Sequence, residues 1–361
     1  MIKNTLTEEG VDDTADLKKW IQQALNELPD IVLNGSLLLI PLSGDAGFRR
    51  YYRLNSKPSL LAVTAPANSG TSESAAYFAN LSHALRQCRI TVPDVLAYRA
   101  TDNYMLLEDF GDRIFFNELN NHTADYLYRK ALTQLIKLQK MPRDKVNIPQ
   151  YDQTLLVSEM EFFREWFVSK LLGYPLSMQE QQLIDRTFTF LAEQALAQPQ
   201  VFVHRDYHSR NLLVREGTVP GIIDFQDAVW GPATYDVVSL LRDCYLRWPL
   251  QKVENWAIGY ADMAMESEVM PKVSHDQFVQ WFDTMGLQRH IKVLGIFARL
   301  WLRDNKPQYL NDLPLVLRYT IEIAERYRET RSLAIWLSTF LLDSIEKQSW
   351  YRDYRTAGDR K

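Results

Sequence analysis

The stretch that decides the fold reads HRDYHSRN at residues 204–211, and a second stretch, IDF at residues 223–225, follows it. Asp206 lies five residues before Asn211, and Asp224 lies thirteen residues after Asn211. Short apolar runs border both stretches, which predicts that these polar residues lie at the mouths of buried strands. An ordinary turn between strands would also be rich in Asp and Asn. The bordering apolar runs favour a ligand site over such a turn.

These residue types and this spacing match the catalytic loop and metal site of kinases. Phosphoryl transfer needs a carboxylate that accepts the proton of the attacking hydroxyl, and we assign this role to Asp206. Mg²⁺ on the nucleotide phosphates prefers oxygen ligands, which Asn211 and Asp224 would provide. The sequence therefore predicts a small-molecule kinase that uses Mg²⁺ and ATP, with GTP left open as the nucleotide.

Protein kinases usually carry Lys two residues after the catalytic Asp, where this chain has His208. The chain instead shows the pattern His-x-Asp-x-His-x-x-Asn. The pattern resembles the aminoglycoside phosphotransferase and choline kinase family. With residues 223–228 and 231–243 included, it is similar to the bacterial anomeric N-acetylmuramate/N-acetylglucosamine kinases of peptidoglycan recycling. The resemblance extends from about Leu17 to beyond Trp301.

The resemblance implies an α+β, protein-kinase-like fold with two lobes. Residues 1–110 would form a small nucleotide-binding N-lobe with an antiparallel sheet and a helix, and residues 111–361 a mainly helical C-lobe. The implied acceptor is the anomeric hydroxyl of an amino sugar. Another aminoglycoside- or choline-type phosphotransferase and a non-catalytic nucleotide-binding pseudokinase remain as alternatives.

Composition narrows the class of protein. The 361 residues are 46% hydrophobic, which is ample core material for two lobes. A net charge of −4 argues against a nucleic-acid-binding surface. Two cysteines form no disulfide framework, the first residues lack the apolar core of a signal peptide, and no apolar run approaches the roughly 20 residues of a membrane span. We expect a cytoplasmic monomer with no nucleic-acid or membrane partner.

Apolar spacing predicts the elements of both lobes. In the N-lobe, helices cover 15–28 and 73–87, the second capped by Ser72, and strands cover 36–42, 48–54, 60–65, 95–98 and 104–108. In the C-lobe, helices begin at caps Thr123, Ser177 and Ser274, and further packed helices lie within 278–302 and 316–346.

The segment 43–47 links the first two long strands and is the candidate phosphate flap. Small residues let a backbone approach phosphates, so Gly44, Asp45 and Gly47 are predicted nucleotide contacts, with Arg49 adding charge. A simple hairpin turn is the alternative.

The resembled fold implies a hinge at residues 106–112, where backbone groups pair with adenine. We therefore expect Leu107 and Asp109 to contact the base through their backbones and not through the Asp109 carboxylate.

One feature departs from the usual kinase pattern. Thr64 stands where the third strand usually carries a phosphate-binding Lys, so Glu73, the candidate helix Glu, lacks its usual partner. The anomeric sugar kinases also lack this Lys. Our hypothesis is that Arg49 or Arg53 supplies the missing charge.

For the acceptor pocket, the candidate substrate contacts are His208, Asp227 and Arg242. N-acetylmuramate carries a lactyl carboxylate, which favours a nearby cation such as Arg242, Arg299 or Arg303. His204 is expected to brace the catalytic loop, because this position is structural in related folds. Asp236 lies at the start of a helical run and is expected to cap that helix or to brace the loop.

Overall fold

The computed structural model describes residues 13–42, 49–66 and 74–359. These residues divide into two compact units. The first unit contains the described residues up to Ile114 together with Leu213–Asp227, and the second contains Phe115–Leu212 and the described residues from Ala228 onward. Within those three ranges, no helix combines the length and the apolar character that crossing a membrane requires.

An antiparallel five-stranded sheet organises the first unit. In chain order, the elements of this unit are α1 (Asp13–Leu25), β1 (Val32–Leu33), β2 (Leu39–Leu42), β3 (Arg50–Leu54), β4 (Ser56–Lys57), β5 (Leu60–Thr64), α2 (Ala75–Gln87), β6 (Val95–Arg99) and β7 (Tyr104–Glu108). The strands of the sheet pair in the order β2-β3-β5-β7-β6. The prediction of an antiparallel sheet accompanied by helices is confirmed.

Helix α1 covers one face of this sheet. Its apolar residues recur at helical spacing, so Leu17, Trp20 and Ile21 share one buried face. They form a core cluster with Ala62 of β5 and Leu106 of β7. Burial of this face, more than helix propensity, holds the helix in place.

Two predicted boundaries of the first unit are corrected. The first long strand begins at Leu39 and not at residue 36, because the Asn55 side-chain amide donates to the Asn34 and Ser36 carbonyls and holds this segment as a loop. Helix α2 begins at Ala75, where the Ser74 hydroxyl accepts a hydrogen bond from the Tyr77 N–H at 3.2 Å. Ser72 lies outside the described residues.

From Phe115 onward the chain is mostly helical. In chain order, the elements are α3 (Phe115–Glu118), α4 (Ala124–Gln139), α5 (Gln153–Phe162), α6 (Met178–Leu196), β8 (Gln200–Val203), β9 (Leu212–Leu213), β10 (Gly221–Ile222), β11 (Val229–Pro232), α7 (Tyr235–Leu241), α8 (Leu250–Glu266), α9 (His275–Leu302), α10 (Leu313–Ala324), α11 (Arg331–Trp336) and α12 (Leu342–Glu346). Helical segments of π type continue α5 over Phe163–Leu171 and join α11 to α12 over Leu337–Leu341.

Helix α9 runs through the centre of the second unit and is buried along most of its 28 residues. Leu287, Ile291 and Leu294 belong to the main core cluster of this unit. Gly295 lets α9 lie directly against the end of α5, because a Cβ at this position would overlap the Phe162 backbone.

The predicted helix caps have different outcomes. Ser177 forms a complete capping box with Glu180, and the Ser274 hydroxyl accepts from the Gln277 N–H at 3.1 Å, so both caps are confirmed. Thr123 occupies the predicted cap position, but its hydroxyl makes no cap hydrogen bond and donates to the Glu118 carbonyl at 2.6 Å. Thr123 therefore closes the preceding turn.

Residues 213–227 belong to the first unit through their own contacts there. The Val214 N–H donates to the Arg113 carbonyl at 2.8 Å, and the Ile222 N–H donates to the Thr91 carbonyl at 2.8 Å. The Phe225 ring packs 4.6 Å from the ring of Phe78 on α2. The segment that carries Asp224 is thus folded as part of the sheet-containing unit.

Candidate active site

The catalytic loop, residues 204–211, lies in the second unit and begins where β8 ends. The Asp206 carbonyl accepts from the His208 N–H at 2.9 Å and from the Asn211 side-chain amide at 3.1 Å. The loop therefore brings Asp206 and Asn211 together, as their spacing predicted. The Asp206 side chain is exposed to solvent, and Asn211 is half-buried.

Asp236, at the start of α7, anchors the beginning of the loop. Its carboxylate accepts from the backbone N–H groups of His204 and Arg205 at 2.7 and 3.0 Å. Arg205 has a φ of +75°, and these bonds fix that uncommon conformation. Burial raises the pKa of Asp236 to about 7 despite both hydrogen bonds. The expected bracing role of Asp236 is confirmed.

His204 also acts within the loop. Its buried ring accepts the Asp206 N–H at Nδ1 over 3.2 Å. This contact directs the backbone that carries the Asp206 carboxylate. The expectation that His204 braces the loop is confirmed.

Asp243 anchors the far end of the loop. Its carboxylate accepts from the Ser209 backbone N–H at 3.0 Å and from the Ser209 hydroxyl. Beside it, Tyr245 packs edge-on against the His208 ring at 5.5 Å and beneath the Arg210 guanidinium at 3.5 Å. The segment that follows α7 therefore supports the loop from Asp206 to Asn211.

A buried charged cluster forms a third support. The Glu159 carboxylate on α5 accepts from Lys292 Nζ at 2.8 Å, from the Arg205 guanidinium and from the Tyr151 hydroxyl. Burial acts to raise the pKa of Glu159, but the two cations outweigh it and hold the pKa below its ordinary value. Sequence reasoning missed this cluster, because its members come from elements far apart in the chain.

The electrostatic surroundings keep Asp206 ionised. Desolvation by the surrounding protein acts to raise its pKa, although the side chain itself reaches solvent. Nearby basic groups outweigh desolvation and hold the pKa of Asp206 below its ordinary value; these are His208 when its ring is protonated, and the cations Lys292, Arg289 and Arg205. An ionised, solvent-accessible carboxylate on a firmly anchored loop suits a group that orients a hydroxyl and accepts its proton.

His208 is buried beside this carboxylate. Burial lowers the pKa of His208 below its ordinary value, so the ring is neutral at pH 7. Its Nδ1 is enclosed and has no hydrogen-bond partner among the described residues. The candidate role in substrate contact is therefore that of a neutral donor or acceptor.

Asp224 and Asp227 lie in the first unit, and both are exposed. Asp224 has a φ of +65°, an uncommon backbone conformation, and is separated from the end of β10 by one residue, Ile223. Its Oδ1 accepts from the Gln226 side-chain amide at 2.8 Å. The charge of Asp227 contributes, after burial, to the raised pKa of Tyr77. Asp224 is thus an exposed carboxylate in a strained backbone conformation.

The predicted nucleotide contacts are only partly within the described residues. Gly44, Asp45 and Gly47 lie outside them, as does Glu73. Arg49 is buried, and its guanidinium lies 5.0 Å from the centre of the Phe78 ring. Arg49, which was predicted to add charge at the phosphates, is therefore packed against the Phe78 ring of α2 in the first unit.

The hinge segment is held by an ion-pair network of the first unit. The Asp109 carboxylate accepts from Arg53 Nε at 2.6 Å, from the Ser59 hydroxyl at 2.6 Å and from the Gly111 N–H at 2.8 Å. Arg53 also donates to Asp112 at 2.8 Å through both terminal nitrogens. Arg53 is therefore engaged with two carboxylates, which weakens the hypothesis that it replaces the missing strand Lys.

Leu107 is buried in the sheet, where it faces Leu61 on β5 and Val95 on β6. Thr64 is the last residue of β5, in register with Arg50. The strand that usually carries the Lys therefore ends in a hydroxyl side chain.

Arg242 is not accessible to an acceptor. It is 1% exposed, and its Nη2 donates to Asp283 at 2.5 Å. Asp283 also accepts from Arg326 at 2.6 Å and from the Tyr327 hydroxyl at 2.8 Å. Arg242 is thus a structural ion-pair residue, and the prediction that it contacts substrate is corrected.

Arg299 and Arg303, the other two cations that the sequence suggested for the lactyl carboxylate, contact an aromatic ring and an acidic neighbour, respectively. The Arg299 guanidinium lies 4.5 Å from the centre of the Phe162 ring. Arg303 pairs with its neighbour Asp304 at 2.7 Å. In the part of the chain that the structure describes, neither shows a hydrogen bond or ion pair with the catalytic loop.

Comparison with known proteins identifies the family of the chain. Residues 39–272 match the model of the phosphotransferase enzyme family. The chain is 36% identical to the N-acetylmuramate/N-acetylglucosamine kinase of Pseudomonas putida, over 88% of this chain and 93% of the relative. It is 37% identical to the protein of that name from Pseudomonas aeruginosa, over 90% and 95% of the two chains.

Solved structures support the fold. An ADP-bound aminoglycoside phosphotransferase superposes with a TM-score of 0.56 at 17% identity, over 84% of this chain and 98% of the other. The choline kinase of Cryptosporidium parvum superposes with a TM-score of 0.60 at 13% identity, over 90% and 100% of the two chains. The predicted kinase-like α+β fold is therefore confirmed. With the matched family model and these relatives, the chain belongs to the phosphotransferase enzyme family and transfers a phosphoryl group to a hydroxyl acceptor.

Proposed function

We propose that this enzyme is an ATP- and Mg²⁺-dependent sugar kinase that phosphorylates the anomeric hydroxyl of N-acetylmuramate and N-acetylglucosamine in cell-wall recycling, as a cytoplasmic monomer. The observation that carries the proposal is the anchored Asp206 carboxylate, held ionised by surrounding cations. The amino-sugar acceptor is taken from the relatives that carry this name at 36% and 37% identity.

Asp206 orients the acceptor hydroxyl and receives its proton. An anomeric hydroxyl is more acidic than other sugar hydroxyls, so a carboxylate with a lowered pKa is a sufficient base. Asp236 and His204 hold the backbone of Asp206 in place and do not themselves exchange protons with the substrate. The loop thus supplies position and negative charge, the two contributions that phosphoryl transfer needs from this residue.

Asn211 and Asp224 are the proposed ligands of Mg²⁺. Their side chains offer an amide oxygen and a carboxylate, a donor set that suits Mg²⁺, and the Asn211 amide nitrogen is turned to the Asp206 carbonyl. The ion neutralises charge on the nucleotide phosphates when it is bound.

The nucleotide would contact the first unit. We propose Gly44, Asp45 and Gly47 as phosphate contacts, and the backbones of Leu107 and Asp109 as adenine contacts. The Asp109 carboxylate is fully engaged by Arg53, Ser59 and Gly111, which agrees with a backbone role for this residue.

Arg49 and Asp227 complete the proposed contacts. Arg49 is the better candidate for the missing Lys charge, because Arg53 is bound to two carboxylates. Asp227 is exposed and offers oxygen atoms for sugar hydroxyls.

The test is ADP formation from ATP by the wild-type protein with N-acetylmuramate, N-acetylglucosamine, kanamycin and choline as separate acceptors. We expect turnover with the two amino sugars, its loss when EDTA removes Mg²⁺, and loss of the reducing end in the product. Turnover with kanamycin or choline alone would replace the acceptor assignment, and retention of the reducing end would move the reaction to another hydroxyl. Absence of turnover with all four acceptors would contradict the proposed function.

A further inference from the structure

The guanidinium of Arg210 extends from the catalytic loop onto two aromatic rings of the second unit. It lies 3.5 Å from the centre of the Tyr245 ring and 5.4 Å from that of Phe116. Among the residues that the structure describes, its side chain forms no hydrogen bond and no ion pair. Arg210 and both aromatic residues are half-buried, so part of each reaches solvent. The N–H donors of Arg210 are therefore available to a ligand that arrives from solvent.

Asp312 is a carboxylate near Arg210 that is also available. It occupies the N-cap position of α10, where an Asp side chain usually accepts a backbone N–H, but it makes no cap hydrogen bond. Burial raises the pKa of Asp312 to about 6, and the positive charge of Arg210 acts against this rise. The two side chains attract each other without forming an ion pair within the described chain. A cation and an anion thus face each other across a gap.

Other partly exposed arginines of the second unit contact their carboxylates directly. Arg326 pairs with Glu254 at 2.7 Å, and Arg247 pairs with Glu322 at 2.9 Å. Direct contact is therefore the common arrangement on this surface, and the separation of Arg210 from Asp312 departs from it. Separated charges keep their hydrogen-bonding capacity for a third, polar group between them.

This pair lies near the catalytic base because the catalytic loop turns back on itself. The Asn211 N–H donates to the His208 carbonyl at 3.0 Å, and the Asn211 side-chain amide donates to the Asp206 carbonyl at 3.1 Å. A turn of this type keeps the α-carbons of its first and fourth residues within about 7 Å. Arg210 is the third residue of the turn. Its long side chain can therefore reach an acceptor whose hydroxyl lies on the Asp206 carboxylate.

An acetamido group has the chemistry that these side chains would recognise. Its N–H donor and its carbonyl acceptor point in opposite directions from one planar unit, so their partners must stand apart and carry opposite charge. Its methyl group suits the aromatic surface of Tyr245 and Phe116. A carboxylate in the same place would be attracted by Arg210 but repelled by Asp312, and an ammonium group would meet the reverse.

We propose that Arg210 and Asp312 bind the acetamido group of the acceptor sugar, with Arg210 donating to the acetyl carbonyl and Asp312 accepting the amide N–H. The inference rests on the proposed function, because it names the part of the amino sugar that the second unit recognises. N-acetylmuramate and N-acetylglucosamine share this group, so one pair of residues serves both acceptors. Glucose carries a hydroxyl in its place and cannot satisfy both partners in the same way.

The test measures kcat/KM with N-acetylglucosamine and with glucose for wild type, Arg210→Gln, Asp312→Asn and a control, Arg299→Gln. The control removes another half-buried guanidinium that lies over an aromatic ring. Any change in the Asp206 base affects both neutral sugars alike and cancels in the ratio of the two kcat/KM values. Arg210→Gln and Asp312→Asn should each lower this ratio by about 10-fold or more, through a higher KM for N-acetylglucosamine, because each loses a charge-assisted hydrogen bond. The control should leave the ratio unchanged.

An equal loss for both sugars, or an unchanged ratio in either variant, would overturn the inference and leave these residues as supports of the loop. If the variants do not fold, or if glucose is not a measurable acceptor, inhibition of the wild type decides. The inhibitors are analogues of the two sugars in which hydrogen replaces the anomeric hydroxyl. Tighter binding of the acetamido analogue by about 10-fold or more supports the inference, and equal inhibition constants overturn it. Wild-type turnover of N-acetylglucosamine reports on the proposed function alone, which keeps the two failures distinct.

Discussion

The catalytic loop in the second unit and the hinge segment in the first are both held by charged side chains, but the surroundings of these charges differ. Glu159 and Asp236 support the loop from buried positions. The hinge is held by Arg53, which is 23% exposed at its side chain, and one of its partners, Asp112, is 77% exposed. Water screens the hinge pair and not the loop anchors. The same type of bond should therefore carry far more free energy at the loop than at the hinge.

The largest effect on stability is expected at Glu159. Replacement by Gln leaves Lys292 and Arg205 buried without their shared carboxylate, so the free energy of unfolding should fall by about 3–5 kcal/mol. Urea denaturation measures this change. The control is Glu161→Gln, two residues further along α5, whose pair with Arg164 is half-exposed and should contribute less than about 1 kcal/mol. Equal effects of the two variants would remove the contrast between buried and screened charges.

An intermediate effect is expected at Asp236. Asn can accept only one of the two backbone N–H groups that Asp236 now accepts, so Asp236→Asn should cost about 1–3 kcal/mol and lower kcat with little change in KM. Circular dichroism during urea unfolding measures the first quantity, and steady-state kinetics measures the second. A rise in KM with unchanged kcat would show that Asp236 does not position Asp206.

The same substitution has a pH signature. Folding raises the pKa of Asp236 from an ordinary value near 3.8 to about 7, so its protonated form is favoured in the folded state. Its contribution to stability is therefore fully present below about pH 4 and is lost as the pH rises to about 7. As the pH rises from about 4 to about 7, the free energy of unfolding of the wild type should therefore fall relative to that of Asp236→Asn. A difference that is flat from pH 4 to pH 7 would show that this pKa is not raised.

The smallest effect is expected at the hinge. Asp112→Asn removes an exposed partner of Arg53, while Asp109 keeps its bonds with this residue, so the free energy of unfolding should change by less than about 1 kcal/mol. The change should become smaller still in high salt, which urea denaturation at two salt concentrations would reveal. A loss of more than 2 kcal/mol that salt does not reduce would mean that the hinge is held as firmly as the loop.

The sequence predicted those features that depend on neighbouring residues. The loop residues Asp206 and Asn211 lie five apart, and the capping box of Ser177 spans three residues, so local spacing sufficed for both. The kinase-like fold was reached from the same local pattern.

The supports of the site were harder to predict, because folding joins residues that are distant in the chain. Glu159 and Lys292 are brought together from α5 and α9, and no spacing in the sequence links them. Arg242 was predicted to contact substrate because the sequence shows its charge but not its ion pair with Asp283, which lies 41 residues further along the chain.

The central claim is that Asp206 orients and deprotonates the acceptor hydroxyl. Asp206→Asn is tested against Asp262→Asn, an exposed Asp on α8 that pairs only with His275 among the described residues, in ADP formation with N-acetylglucosamine. We predict that Asp206→Asn lowers kcat by about 10³-fold while the affinity for ATP and the unfolding midpoint stay close to wild type, and that Asp262→Asn retains full activity. Activity of Asp206→Asn within tenfold of wild type would contradict the account.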